Sequence, residues 1–165
     1  MTRNATSHLG DVEALLIADL YPHLRAFASV VAPVQEDPND LVQEALVRTL
    51  CGGPLSRLEH PKAYLRTAIY HLAVSARRHW VAERDALVRI PTEEYPPQYS
   101  WQVDELLSLS PKARAVVYLG VIEDMPHAEI ADLLGCSPAS VRKTASRAKR
   151  KLRRLLAEEV KDATP

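Results

Sequence analysis

Along most of this chain the apolar residues return every three or four positions, the rhythm of helices that each bury one face, and strand-like alternation is weak throughout. The pattern predicts an all-α fold whose elements are separated by a few prolines and glycines. After a short flexible lead over residues 1–10, Asp11 caps a helix running to about Leu20, and Pro22 opens a second that ends before Pro33. A third helix, about Asn39 to Leu50, carries Leu41, Val42, Ala45, Leu46 and Leu50 inward and is broken by Cys51-Gly52-Gly53-Pro54. Pro61 begins a long helix to roughly Arg84, with Leu65, Ala68, Ile69, Leu72 and Ala76 on its buried stripe.

The proline-rich stretch from Ile90 to Ser100 reads as a flexible linker. Two small helical domains follow, 11–86 and 104–158, joined by residues 87–103 and trailed by a tail at 159–165. Such a linker spans about 50 Å at about 3.3 Å per residue, so the two domains could touch separate stretches of one duplex.

The second domain carries the sharper signal. His127 to Leu134 reads as a helix, Gly135-Cys136 as a tight turn, and Ser137-Pro138 as the cap and first-turn proline of another helix. That is a helix-turn-helix, of the winged-helix-like or homeodomain-like four-helix kind. Val141, Ala145, Ala148, Leu152 and Leu155 form the inward stripe of its second helix. The rest of that helix is cationic: Arg142, Lys143, Arg147, Lys149, Arg150, Lys151, Arg153 and Arg154 face no acidic residue between Ser137 and Leu156. A face of this kind can offset phosphate charge along a groove, whereas the charge run without the turn would read as a solvated helix.

Composition changes this picture only through its distribution. The chain has 165 residues, 47% of them hydrophobic, enough for globular cores. Its 21 basic and 21 acidic residues cancel, yet Asp11 to Glu59 is acidic and the far end basic, which points to two different partners. Cys51 and Cys136 lack CxxC partners, so neither a disulfide framework nor a zinc site is indicated. With no apolar signal core at the N-terminus and no run expected to span a bilayer, the reading is a soluble cytoplasmic chain with no membrane partner.

Two further surfaces stand out in the first domain. On the long helix Lys62, Arg66, Tyr70, Ala73, Arg77, Trp80 and Arg84 fall in one line opposite the buried stripe, a ladder of cations interleaved with two aromatics. Cations follow a phosphate backbone and aromatic faces accept unpaired bases, although Trp80 is also well suited to closing the core. On the preceding helix Asp40, Gln43, Glu44 and Val47 make an acidic-apolar face, which repels DNA and suits a protein partner. No enzyme constellation is present in the sequence: His8, His60, His71, His79 and His127 stand at no metal-ligand spacing, and there is no phosphate loop or nucleophile motif. No catalytic site, metal or cofactor is therefore expected. A stand-alone helix-turn-helix regulator is the alternative, but it leaves the acidic helix and the ladder unexplained.

Asp40-Leu41-Val42-Gln43-Glu44 with Leu46 and Arg48, then Ala63-Tyr64-Leu65, then Ser110-Pro111, Glu129-Ile130-Ala131, Leu134-Gly135-Cys136-Ser137, Val141, Arg147-Ala148 and Leu152-Arg153 together resemble a bacterial RNA polymerase sigma factor of the two-domain extracytoplasmic-function group. The resemblance runs from about Leu15 to Leu156. It implies core RNA polymerase as partner, through the β′ clamp and β flap, together with promoter DNA, and it leaves room for an anti-sigma factor. By the same resemblance Asp40, Leu41, Gln43, Glu44 and Val47 would hold the clamp. Lys62, Arg66, Tyr70, His71, Arg77 and Trp80 would recognise and open the −10 element. Ser140, Arg142, Lys143, Ser146, Arg147 and Arg150 would read the −35 element. This chain has His71 and Ser75 where the family tends to have Asn and Asp, lacks the tryptophan often found near Leu50, and has Arg142-Lys143-Thr144 where Lys-Ser-Arg or Arg-Ser-Arg is common.

Overall fold

The computed structural model describes residues 3–86 and 104–162, and among them there is no strand. The predicted break at Pro22 and the flexible lead are both replaced by one helix, α1, Arg3–Val31. Leu20, Leu24, Phe27, Ala28 and Val31 are all buried and keep one phase across the proline. Packing of that continuous stripe outweighs the single backbone donor that Pro22 lacks. Asp11–Val31 is also long and apolar enough to cross a membrane by length and composition, contrary to the sequence expectation. Here its apolar face is part of the core shared with the neighbouring helices.

Helix α2 is Pro38–Gly52, capped by Asp37, whose carboxylate accepts from the Asn39 amide at 2.8 Å. Leu41, Val42, Ala45 and Leu46 are buried as expected, but Leu50 is 39% exposed, one turn from an end that faces outward. Gly53, at φ 143°, ends the helix in a conformation open to glycine, and a 3₁₀ turn, Leu55–Arg57, leads on. Glu13 of α1 reaches this turn and accepts from the Leu55 and Ser56 amides at 2.8 and 2.9 Å. Those bonds, with Ser56 foremost, hold the Glu13 carboxyl below its ordinary pKa.

Helix α3, Pro61–Ala86, crosses both α1 and α2. The second half of the chain comprises α4, Asp104–Leu107, α5, Pro111–Val117, α6, His127–Leu133, and α7, Pro138–Asp162. After α5 the backbone widens at Tyr118–Ile122 into one turn with a bond from the Glu123 amide to the Tyr118 carbonyl, five residues back.

The sequence reading is two small helical domains joined by a linker long enough to let them touch separate stretches of one duplex. Residues 87–103 lie outside those described, but the helices on either side pack together: α5 lies against α1 and α3, and α6 against α3. One buried cluster runs from Leu20 and Phe27 through Leu65 and Ile69 to Leu119, Ile130 and Val141. Phe27 sits at its centre, its ring 5.8 Å from that of Tyr118 and from the Arg66 guanidinium carbon.

Phe27→Ala is therefore expected to lower stability by about 3–5 kcal/mol, measured by urea unfolding, because a fully enclosed ring leaves a cavity. Leu15→Ala, at a position 72% exposed, should stay within about 0.5 kcal/mol. Similar losses for the two would show that the junction is not the centre of the core.

Candidate nucleic-acid interface

Helix α6 ends at Leu133, and Gly135, at φ 62°, turns the chain so that the Cys136 amide bonds back to the Ala131 carbonyl at 2.9 Å. Ser137 then caps α7, its hydroxyl accepting from the Ser140 amide at 3.2 Å. Val141 and Ala148 seat α7 against α6 and the preceding helices, while Ala145, Leu152 and Leu155 are half-buried. Arg142, Lys143, Ser146, Arg147 and Arg150 are all exposed.

Two α7 residues have structural partners instead. Ser140 is half-buried and its hydroxyl accepts from Lys112 at 3.0 Å, and Lys151 donates to the Ser108 carbonyl at 2.7 Å. These bonds fix the angle of α7 on α4 and α5. Arg142, Ser146, Lys149, Arg150 and Arg153 line an open depression with His127 from the first helix of the motif. Electrostatically this is a continuous cationic strip, with Glu129 and Asp132 left on α6.

The ladder on α3 does not survive as a single exposed line. Arg66 is 3% exposed, Tyr70 7%, and Ala73 fully buried, because α5, α6 and the turn between them cover that side of the helix. Arg66 instead forms an ion pair with Glu123, Lys62 lies 3.9 Å from the same carboxylate, and burial raises the Tyr70 pKa. Arg77 and Trp80 are exposed, with the Trp80 indole donating to Glu36 at 3.3 Å, and the side chain of Arg84 lies outside those described. The face of α3 that does remain open is rotated by about 100°, one residue along the helix. It carries Tyr64, His71, Ser75 and Arg78. Sequence reasoning placed His71 among the candidates but missed Tyr64 and Arg78. Their i, i+7, i+11, i+14 spacing was the available signal, outweighed by the richer cation count of the neighbouring line.

On α2 Asp40, Gln43, Glu44 and Val47 are exposed, with Glu44 paired to Arg48. Leu41, at 5% exposure, faces the core and is not available to a partner. Leu50 extends the outward apolar surface of Val47, which is 56% exposed. Acidic and basic surfaces are thus held on different helices of one body.

A sigma-70 region 4 family model matches residues 103–152. The RNA polymerase sigma-E factor of Streptomyces coelicolor is 33% identical over 147 residues, covering 81% of this chain and 79% of that protein. The sigma-E factor of Streptomyces avermitilis is 34% identical over 147 residues, covering 81% and 78%. Among solved structures, the sigma factor RpoE of Bartonella quintana, determined in complex with the anti-sigma factor NepR, superposes with a TM-score of 0.68 at 24% identity, over 87% of this chain and 96% of that one. It has the same fold.

From the α7 surface, Lys143→Ala and Arg147→Ala should each weaken duplex DNA binding and lower the dependence of log affinity on log salt by about 1 if the contact is to phosphate. A contact to a base should instead cost about 1–3 kcal/mol selectively for one sequence. Unchanged affinity and slope in a fluorescence titration would remove both residues from the interface.

Proposed function

Because the chain belongs to the sigma-70 family of RNA polymerase sigma factors, with the two-region make-up of the extracytoplasmic-function group, we propose that its helices divide polymerase binding and promoter reading as follows. As a sigma factor it binds core RNA polymerase and directs promoter-specific initiation of transcription. Sigma factors regulate the polymerase and catalyse no reaction of their own, and they act where the polymerase is, in the cytoplasm.

The first unit, residues 11–86, is assigned to polymerase and the −10 element, and the second, residues 104–158, to the −35 element. Asp40, Gln43, Glu44 and Val47 on α2 make the surface for the β′ clamp: carboxylates set around an apolar centre suit a basic, helical partner and repel DNA. The α7 strip of Arg142, Lys143, Ser146, Arg147 and Arg150 enters the −35 major groove, with Ser140 at its edge and the β flap touching the same unit from another side. On α3 the open face of Tyr64, His71, Ser75 and Arg78, with Arg77 and Trp80 beside it, is the part accessible to the −10 strand. His71 and Ser75 replace the Asn and Asp common in the family, so base preference there is this chain's own. The RpoE relative was solved with an anti-sigma factor, and a protein of that class is the further partner proposed.

One observation carries this reading over a stand-alone regulator: similarity to the sigma-E factors covers 81% of the chain, so it extends across the acidic helix as well as the helix-turn-helix. Asp40→Lys with Glu44→Lys should abolish co-elution with core polymerase and run-off transcription, while duplex binding by the same full-length variant persists. Both residues are exposed, so folding should change by no more than about 0.5 kcal/mol each. Retained co-elution would move the polymerase surface elsewhere. His71→Asn should shift the preferred −10 sequence in run-off selection on a promoter library without a change in unfolding midpoint; an unaltered preference would take position 71 out of the readout.

A further inference from the structure

Ser140 is the odd member of the α7 surface: half-buried and uncharged at the head of a cationic face, with its side-chain partner outside the helix-turn-helix. It stands in the first turn of α7, and Lys143 and Arg147 follow on the same side at i+3 and i+7. The first turn of a recognition helix is the part that meets base edges in the major groove. Its placement here is firm. The Ser137 hydroxyl accepts from the Ser140 amide at 3.2 Å, and Val141, with no exposed surface, seats the turn on the core.

Lys112 of α5 donates to the Ser140 hydroxyl oxygen at 3.0 Å. The root of this lysine is held as closely as its target. Pro111, Ala113 and Arg114 are buried around it, the Ser110 hydroxyl caps the helix by accepting from the Ala113 amide at 3.2 Å, and Arg114 ties the same turn to the Val31 and Ala32 carbonyls at 2.9 and 2.7 Å. Among the described residues no carboxylate pairs with the Lys112 ammonium, and no acceptor takes the Ser140 hydroxyl hydrogen.

A serine hydroxyl has one hydrogen and two lone pairs, and by rotating it serves either a donor or an acceptor on a base. The lysine removes that freedom. Its ammonium can only donate, so it occupies a lone pair, turns the hydroxyl hydrogen away from itself and polarises the O–H bond. What is left for a ligand is a strengthened donor backed by a positive charge, which an amino group would meet unfavourably. We propose that Lys112 is a positioning residue for sequence readout: through its bond to Ser140 it makes that serine a donor alone. The base beneath the head of α7 is then accepted when it presents an acceptor, the O6 or N7 of guanine, the N7 of adenine or the O4 of thymine, and is rejected when it is cytosine, which presents the N4 amino group. The inference rests on the −35 assignment of α7. It places a determinant of promoter preference 28 residues before the serine through which it acts.

The test uses the full-length chain and a panel of duplexes in which each base pair of its preferred −35 site, found by selection from a random duplex library, is replaced in turn by the other three. The wild type should disfavour cytosine at one position by about fivefold, and Ser140→Ala should lose that discrimination at that position alone. Lys112→Met, which keeps the length of the side chain and removes its charge, should lose it at the same position, and the double variant should lose no more than either single one. The dependence of log affinity on log salt should be unchanged in Lys112→Met, since no phosphate contact has gone. Lys112→Glu, whose carboxylate accepts the hydroxyl hydrogen and leaves the lone pairs facing the groove, should turn the preference towards cytosine at that position while weakening every duplex. Additive losses in the double variant overturn the proposal. So does a salt slope lower by about 1 with the preference retained, which makes Lys112 a phosphate contact, and so do losses spread over every base pair, which leave it only a brace for the angle of α7. A wild type with no preference among the duplexes overturns the −35 assignment itself.

Discussion

Leu24, Phe27 and Val31 have no exposed surface, and they put one face of α1 against α2, α3 and α5 together. Each of those helices has too narrow an apolar stripe to fold alone in water, so the continuous face of α1 is the condition on which the rest is assembled. It explains why the helix runs through Pro22: a break there would put Leu20 and Leu24 on separate rigid pieces and divide the core. It also sets where the carbonyl end of α1 falls, and therefore what Arg114 can reach.

From that anchor the molecule separates its charges. α7 carries its cations outward because Val141 and Ala148 fix the opposite side, and Lys112 and Lys151 are taken up in holding its angle. α2 presents carboxylates on the far side of Leu41, Val42 and Ala45. A net charge of zero thus conceals two surfaces that would repel each other's partners.

The helix-turn-helix was legible because its signals are local: a glycine with positive φ, a serine cap and an amphipathic stripe act within a few residues of one another. The inward face of α2 was legible for the same reason, except at Leu50. What the sequence could not reveal was burial imposed by distant parts. Arg66 and Tyr70 lie on the polar side of α3 by periodicity, and only the approach of α5, α6 and Glu123 removes them from water. The same limit applies at Pro22, where a local breaker meets a stripe whose partners lie far along the chain. Leu41 satisfied both a core pattern and a family pattern, and burial assigns it to the first.

The widened turn at Tyr118–Ile122 has a bearing on how this chain relates to others of its kind. Such a turn holds one more residue than ordinary helical spacing allows, and that extra residue sets the direction in which Glu123 emerges. Deleting a single residue from it would let the helix close normally and swing Glu123 about 100° around the axis, away from Arg66. Loss of one codon, with every contacting side chain unchanged, is then enough to leave the Arg66 guanidinium at the junction without its carboxylate.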